Sequence, residues 1–158
     1  MTIRWRRIVD KTDPPKIRKL VGATGVFSDE EARTAARLAE TTVDGTETYR
    51  FLLAERAGTI VGYTCFDRIE LSQWSFDLYW IAVAPEERGS GLALELMDRT
   101  ATFIKGKHGR QIFAETSSRE PYAPARAFYR KAGFEEVARF EDFYAAGDAK
   151  VIFRLLLA

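Results

Sequence analysis

Between Leu78 and Ala93 the chain changes character twice. Leu78 to Ala84 is an apolar run of aromatic and branched residues that ends at Pro85. A charged, glycine-bearing turn follows, Glu86-Glu87-Arg88-Gly89-Ser90-Gly91, and a helical pattern begins at once with Leu92 and Ala93. A strand that runs through a glycine turn into a helix is suited to binding phosphate. Glycines let the main chain come close to an anion, and the first N–H groups of a helix, with its positive dipole end, point at it. By itself the string also fits a plain tight turn between a strand and a helix.

The rest of the composition bounds what such a turn serves. At 158 residues the expectation is one domain, residues 1–158, with a core of its own. Hydrophobic residues make up 46 %, which argues against disorder. The net charge of +1 creates no global field toward nucleic acid or membrane, and neither is expected as a partner. The short Arg4–Arg7 cluster reads as a solvated strand face. A single cysteine, Cys65, excludes an internal disulfide framework and a multi-cysteine zinc cage; it reads as a small buried residue. The first residues lack the apolar core of a signal peptide, and no apolar run reaches the ~20 residues of a membrane span. A cytoplasmic protein without a metal is the expectation.

Local patterns give the element order. Residues 3–9 read as a short strand, and Pro14-Pro15 open a helix ending near Gly22. Ser28 and Glu31 have the spacing of a capping box, and the helix they start stops before Gly45. Runs at 49–56 and 59–69 read as strands joined by Ala57-Gly58. The run at 76–83 is nearly apolar throughout, as in a central strand buried on both faces. A helical period over 91–105, a strand at 111–116, a helix at 124–132 closed by Gly133, and an antiparallel pair over 134–143 and 150–157 complete the chain. This order gives a mixed sheet with helices against it, in the α/β class, and not a doubly wound parallel sheet.

Two familiar phosphate motifs do not fit the turn. The dinucleotide fingerprint needs a third glycine where this chain has Leu94, and no P-loop string with its lysine occurs. What remains is R-x-x-G-x-A. Downstream, Phe128-Tyr129-Arg130-Lys131-Ala132-Gly133-Phe134 is a helix end with a tyrosine before a Gly-Phe pair. Alone it reads as an amphipathic helix whose Phe128 packs inward and whose Tyr129 snorkels.

In this order the two motifs resemble those of the GCN5-related N-acetyltransferase superfamily. Arg88, Gly91 and Ala93 match its acetyl-CoA signature; Tyr129, Gly133 and Phe134 match its second motif. The resemblance covers the chain from Tyr49 onward, and it departs from the family at Tyr122, where many relatives carry asparagine. It implies a GNAT-like, mostly antiparallel sheet splayed between its fourth and fifth strands, and acetyl transfer to an amine in a ternary complex. It further implies that the main chain of Ile81, Ala82 and Val83 holds the pantetheine arm and that the amides of Arg88, Gly89, Ser90, Gly91, Leu92 and Ala93 hold the pyrophosphate. Tyr129 would stand near the sulfur of coenzyme A, and Arg126 is a further candidate for its phosphates.

The residues suit that chemistry. An alkyl ammonium has a pKa near ~10.4 and must lose a proton before it attacks a thioester. A strand N–H can stabilise the oxyanion, and a tyrosine hydroxyl can help the leaving thiolate. Three carboxylates are candidates for the base. Asp77, in the apolar strand, is placed where burial raises a carboxyl pKa, and strand alternation sets it on one face with Tyr79, Ile81 and Val83. Glu115, near the end of the fifth strand, and Glu70, beyond the third, are the others, and water is a fourth route. His108 reads as solvated. Phe66, Trp74, Tyr79 and Trp80 are either core or an aromatic wall for a cationic amine. The expected acceptor is a small-molecule amine or an amino acid. A non-catalytic acyl-CoA sensor on the same scaffold is the alternative. Edge pairing through residues 140–157 offers a route to a homodimer.

Overall fold

The structure, a computed structural model, describes residues 2–158. Its elements run β1 (Arg4–Arg6), α1 (Asp13–Ala23), α2 (Asp29–Asp44), β2 (Arg50–Arg56), β3 (Thr59–Arg68), β4 (Ser75–Val83), α3 (Leu92–Gly106), β5 (Gln111–Ser117), α4 (Ala123–Lys131), β6 (Glu135–Ala145) and β7 (Asp148–Leu156). The strands form one mixed sheet in the order β1-β2-β3-β4-β5-β7-β6. The expected elements are all present, most within two residues of their predicted ends. The main difference is the first strand, which is three residues long.

By internal contacts the chain makes two compact units. One comprises the chain up to Asp67 together with Trp80–Thr100; the other comprises Arg68–Tyr79 and Ala101–Ala158.

In the first unit, β1, β2 and β3 pair antiparallel, with Phe51, Leu53, Tyr63 and Cys65 buried. Burial pushes the Cys65 thiol pKa up, as expected of an inert core thiol. The capping box of α2 is formed in full: the Glu31 amide donates to Ser28 Oγ at 3.1 Å, and the Ser28 amide to Glu31 Oε1 at 2.9 Å. The arginine cluster is not simply a solvated face. Arg6 reaches inward, with Nη1 2.6 Å from Asp13 Oδ2, Nη2 2.9 Å from Asp13 Oδ1 and Nε 2.8 Å from Glu55 Oε1. Asp13 is fully buried, so its charge needs this fork. Local charge density carries no sign of it, because Asp13 and Glu55 come from a helix start and a neighbouring strand.

In the second unit, β4 and β5 form a parallel ladder over three residue pairs, Ser75 to Asp77 against Gln111 to Phe113. The antiparallel ladder from β5 to β7 is longer, running from Gln111↔Leu156 to Ser117↔Lys150. β6 lies at the sheet edge and is exposed along nearly its whole length. The end of α4 explains the spacing of its motif. The Phe134 amide donates to Tyr129 O and the Gly133 amide to Arg130 O, with Gly133 at φ 97°. This is a Schellman end, in which a left-handed residue at C′ satisfies the last carbonyls and the C″ side chain packs on C3. Here that pair is Phe134 on Tyr129, ring centroids 5.3 Å apart. Tyr129 is therefore buried and Phe128 half-buried, the reverse of a helix with Phe128 inward and Tyr129 snorkelling, because Phe134 and Phe153 cover the tyrosine ring. Thus Y-x-x-x-G-F is first a rule for stopping a helix around a buried tyrosine.

Candidate active site

The strand that carries Asp77 is not buried on both faces as its composition suggested. Phe76, Leu78 and Ala82 are buried, whereas Asp77, Ile81 and Val83 are half-buried and Tyr79 is 42 % exposed. β4 therefore keeps the face with Asp77 and Tyr79 open, while Val83 further along packs beside Leu92 and Leu96 at Gly62. Apolar sequence alone cannot separate a face covered by core from a face shaped for a ligand.

In the first unit, the Ala84 amide at the end of β4 donates to Val61 O at 2.8 Å, which fixes where the strand ends. A 3-10 turn over Pro85–Glu87 then leads into Arg88-Gly89-Ser90-Gly91. Gly89 and Gly91 stand at φ 79° and 85°, and a Cβ built on either would meet no atom within 4 Å. Both are glycine for conformation, not for crowding, and the turn keeps an open side ahead of the α3 N-terminus, as a phosphate group requires. The amides of Arg88, Ser90 and Leu92 are occupied within the turn, donating to Pro85 O, Glu87 O and Ser90 Oγ. Arg88 Nη2 donates to Thr24 O at 2.8 Å, joining the turn to the end of α1. Trp80 receives Phe27 edge-on at 5.2 Å. Neither contact has a signal in the sequence.

In the second unit, three charged groups share one face of β4, β5 and β7. Asp77 pairs with Phe113 in the parallel ladder, and Glu115 lies two residues further along β5 on the same face. Lys150 Nζ is 2.9 Å from Glu115 Oε2. The Asp77 carboxyl pKa is raised by burial first and by the Glu115 charge second, with Lys150 pulling the other way. Lys150 was missed in the sequence; only the register of β7 against β5 brings it here.

The remaining expected residues fall elsewhere. Tyr129 is on the opposite face of the sheet, packed on Phe153, which pairs with Ala114. Burial raises its pKa to about 12. Arg126 Nη1 donates to Ser117 O at 2.7 Å and Arg119 O at 2.9 Å, so it ties down the end of β5 rather than pointing free toward a phosphate. Tyr122 ends a 3-10 turn as the N-cap of α4. Glu70 is exposed in the turn before β4, at the opposite end of β5 from Glu115, and does not join the carboxylate pair. Phe66 is core; Trp74 and Trp80 are half-buried.

This fold matches known proteins. The family model of the acetyltransferase (GNAT) domain covers residues 47–136. A GNAT-family protein from Desulfovibrio desulfuricans is 38 % identical over 99 % of this chain and 100 % of its own, with a TM-score of 0.94. The chain belongs to the GNAT acetyltransferase family. At 17 % identity the fold also matches yncA of Salmonella typhimurium, solved with its cofactor acetyl-CoA, with a TM-score of 0.74 over 100 % of this chain and 95 % of that one. The ribosomal-protein-S18-alanine N-acetyltransferase of Escherichia coli matches with a TM-score of 0.75 at 17 % identity, over 99 % and 95 % of the two chains. No protein of curated function matches this GNAT chain in sequence. Among its described residues no helix is long and apolar enough to cross a membrane.

Proposed function

We propose that residues 1–158 act as one acetyl-CoA-dependent N-acetyltransferase domain, moving the acetyl group to a primary amine of a small molecule or amino acid by direct attack in a ternary complex. The observation that carries the catalytic part of this reading is Asp77, a half-buried carboxyl with raised proton affinity on the open face of the strand that runs into the glycine turn.

Acetyl-CoA supplies the activated acetyl thioester. The turn fits its pyrophosphate: with the Arg88, Ser90 and Leu92 amides already donating inside the turn, those of Gly89, Gly91 and Ala93 are the ones we assign to phosphate oxygens. The main chain of Ile81–Val83 orients the pantetheine arm. Asp77 takes the proton of the incoming ammonium, and Glu115 keeps Asp77 basic enough for the task. Tyr129 donates a hydrogen bond to the leaving sulfur. With its pKa near 12 it stays protonated over the working range and acts as a fixed donor rather than as a full proton source. Arg126 positions the end of β5. Trp80 with Phe27 supports an aromatic wall for the acceptor. We take the enzyme to be cytoplasmic, and the exposed Val137, Phe140, Phe143 and Tyr144 on the edge strand β6 support a homodimer through that strand.

The test is a coupled measurement. Saturating acetyl-CoA is expected to raise Tm, and a panel of amines, amino acids, polyamines and lysine peptides is expected to release free coenzyme A thiol with at least one member. A Tm shift with no thiol release from any acceptor would favour the sensor alternative; no Tm shift would remove both.

A further inference from the structure

The second unit carries an open cavity of about 870 Å³ that the proposed reaction does not use. Its walls include Arg68, Trp74, Lys107, His108 and Arg110, and none of its lining side chains is acidic. The two arginines are held in place. Arg68 donates through Nη1 to Gln73 O and through Nη2 to Lys107 O at 2.9 Å, and Arg110 sits over Trp74, with Cζ 3.8 Å from the ring centroid. Among the described residues, Lys107, His108 and Arg110 have no carboxylate partner. The negative end of the α3 dipole is sufficient reason for Lys107. It does not account for Arg68 and Arg110, which come from the end of β3 and the start of β5.

His108 is the more telling residue. α3 ends as α4 does: the Gly109 amide donates to Ile104 O and the His108 amide to Lys105 O, a Schellman end with His108 at C′. Its φ is 67°, where glycine is the favoured residue. The only histidine of the chain thus stands in a strained backbone position on the wall of a cationic cavity. Ala57, Leu71 and Asp142 also hold positive φ; His108 is the one of these four that lines the cavity.

We propose that this cavity is a second anion site, taking a small molecule with two or more phosphate or carboxylate groups, held by Arg68, Lys107, His108 and Arg110. The volume lies in the range of small-ligand pockets, and pre-ordered arginines lower the entropy lost on binding. These four groups line one cavity in a nearly neutral protein, which favours a compact anion over a polynucleotide.

The test is a titration of the full chain, followed by amide and indole NMR, with tripolyphosphate and separately with citrate at fixed ionic strength. Saturable shifts are expected at the Trp74 indole and at the amides of residues 107–110. Saturation by one anion only would identify the ligand as phosphorylated or as a polycarboxylate. Arg110→Gln is expected to weaken binding by about tenfold, the worth of one charged hydrogen bond. His108→Gly is expected to weaken binding several-fold while raising Tm, a pairing that a purely structural histidine would not give. The proposal is overturned by shifts confined to residues 88–93, by His108→Gly binding as tightly as the wild type, or by a short oligonucleotide occupying the same residues at lower concentration than tripolyphosphate.

Discussion

The two compact units, each taken by itself, carry different kinds of candidate site. The first offers main chain: the strand end at Ile81–Val83 and the amides of a turn whose glycines hold left-handed conformations. The second offers side chains: Asp77 and Glu115 beside Lys150 on one face, and the Tyr129 hydroxyl on the other. A site made of main chain tolerates most side-chain changes and fails when φ is denied to it. A site made of side chains fails on changes of a single atom and responds to pH. The first kind fixes a cofactor; the second can be retuned to chemistry and acceptor without disturbing the fold.

Gly91→Val is expected to have the largest effect. Valine at φ 85° adds backbone strain of about 1–3 kcal/mol and places branched carbons on the open side of the turn. Acetyl-CoA affinity is expected to fall about 100-fold or more, equivalent to about 3 kcal/mol, by isothermal titration. Unchanged affinity would show that the turn is only a strand-to-helix connection. Tyr129→Phe comes next. It removes one oxygen and leaves the tilted ring contacts with Phe134 and Phe153 intact. A fall in kcat of about ten- to hundredfold is expected, the range of a hydrogen bond to a developing anion, with KM for acetyl-CoA unchanged. Wild-type turnover would take Tyr129 out of the chemistry and leave it as the hydrophobic stop of α4.

This division also explains what could be read from sequence. The turn was legible because a left-handed main chain leaves glycine in fixed places, and the end of α4 for the same reason at Gly133. The capping box of α2 was legible because both partners lie within four residues. Tertiary pairings were not. Lys150 meets Glu115 only through the β5–β7 register, and Arg6 meets Asp13 and Glu55 only after three elements assemble. The open face of β4 was hidden because a ligand-facing strand and a core strand have the same apolar composition. His108 looked like a loop residue, since nothing in Lys107-His108-Gly109 marks a left-handed C′ position occupied by histidine.

The pH profile divides the carboxylates. Burial and the Glu115 charge raise the Asp77 pKa, so the acidic limb of kcat/KM is expected above the ordinary aspartate range near ~3.9. Asp77→Asn is expected to lower activity and remove that limb. Glu115→Gln removes the like charge and releases Lys150 from its ion pair; both changes favour ionised Asp77, so the limb is expected to move to lower pH. If Glu115→Gln abolishes the limb and Asp77→Asn does not, Glu115 is the base. Stability supplies an independent sign. A carboxyl whose folded pKa is raised binds its proton more tightly in the native state than in the unfolded one. Its contribution to stability therefore falls as pH rises from the unfolded to the folded value, and stays low above it. Asp77→Asn is accordingly expected to raise Tm at neutral pH and to lose that advantage in acid.

The smallest effect is expected from a side chain in the main-chain half. Ser90 Oγ donates to Glu87 O at 2.6 Å and accepts the Leu92 amide at 3.3 Å, so it braces the turn from inside. Ser90→Ala removes this brace but leaves the φ values of Gly89 and Gly91 available. A loss of about 1 kcal/mol in stability is expected, as for a lost helix-start cap. Acetyl-CoA affinity is expected to stay within about threefold, which is less than 1 kcal/mol. A much larger loss of affinity would mean that the serine hydroxyl itself contacts phosphate, and that the first unit also works through side chains.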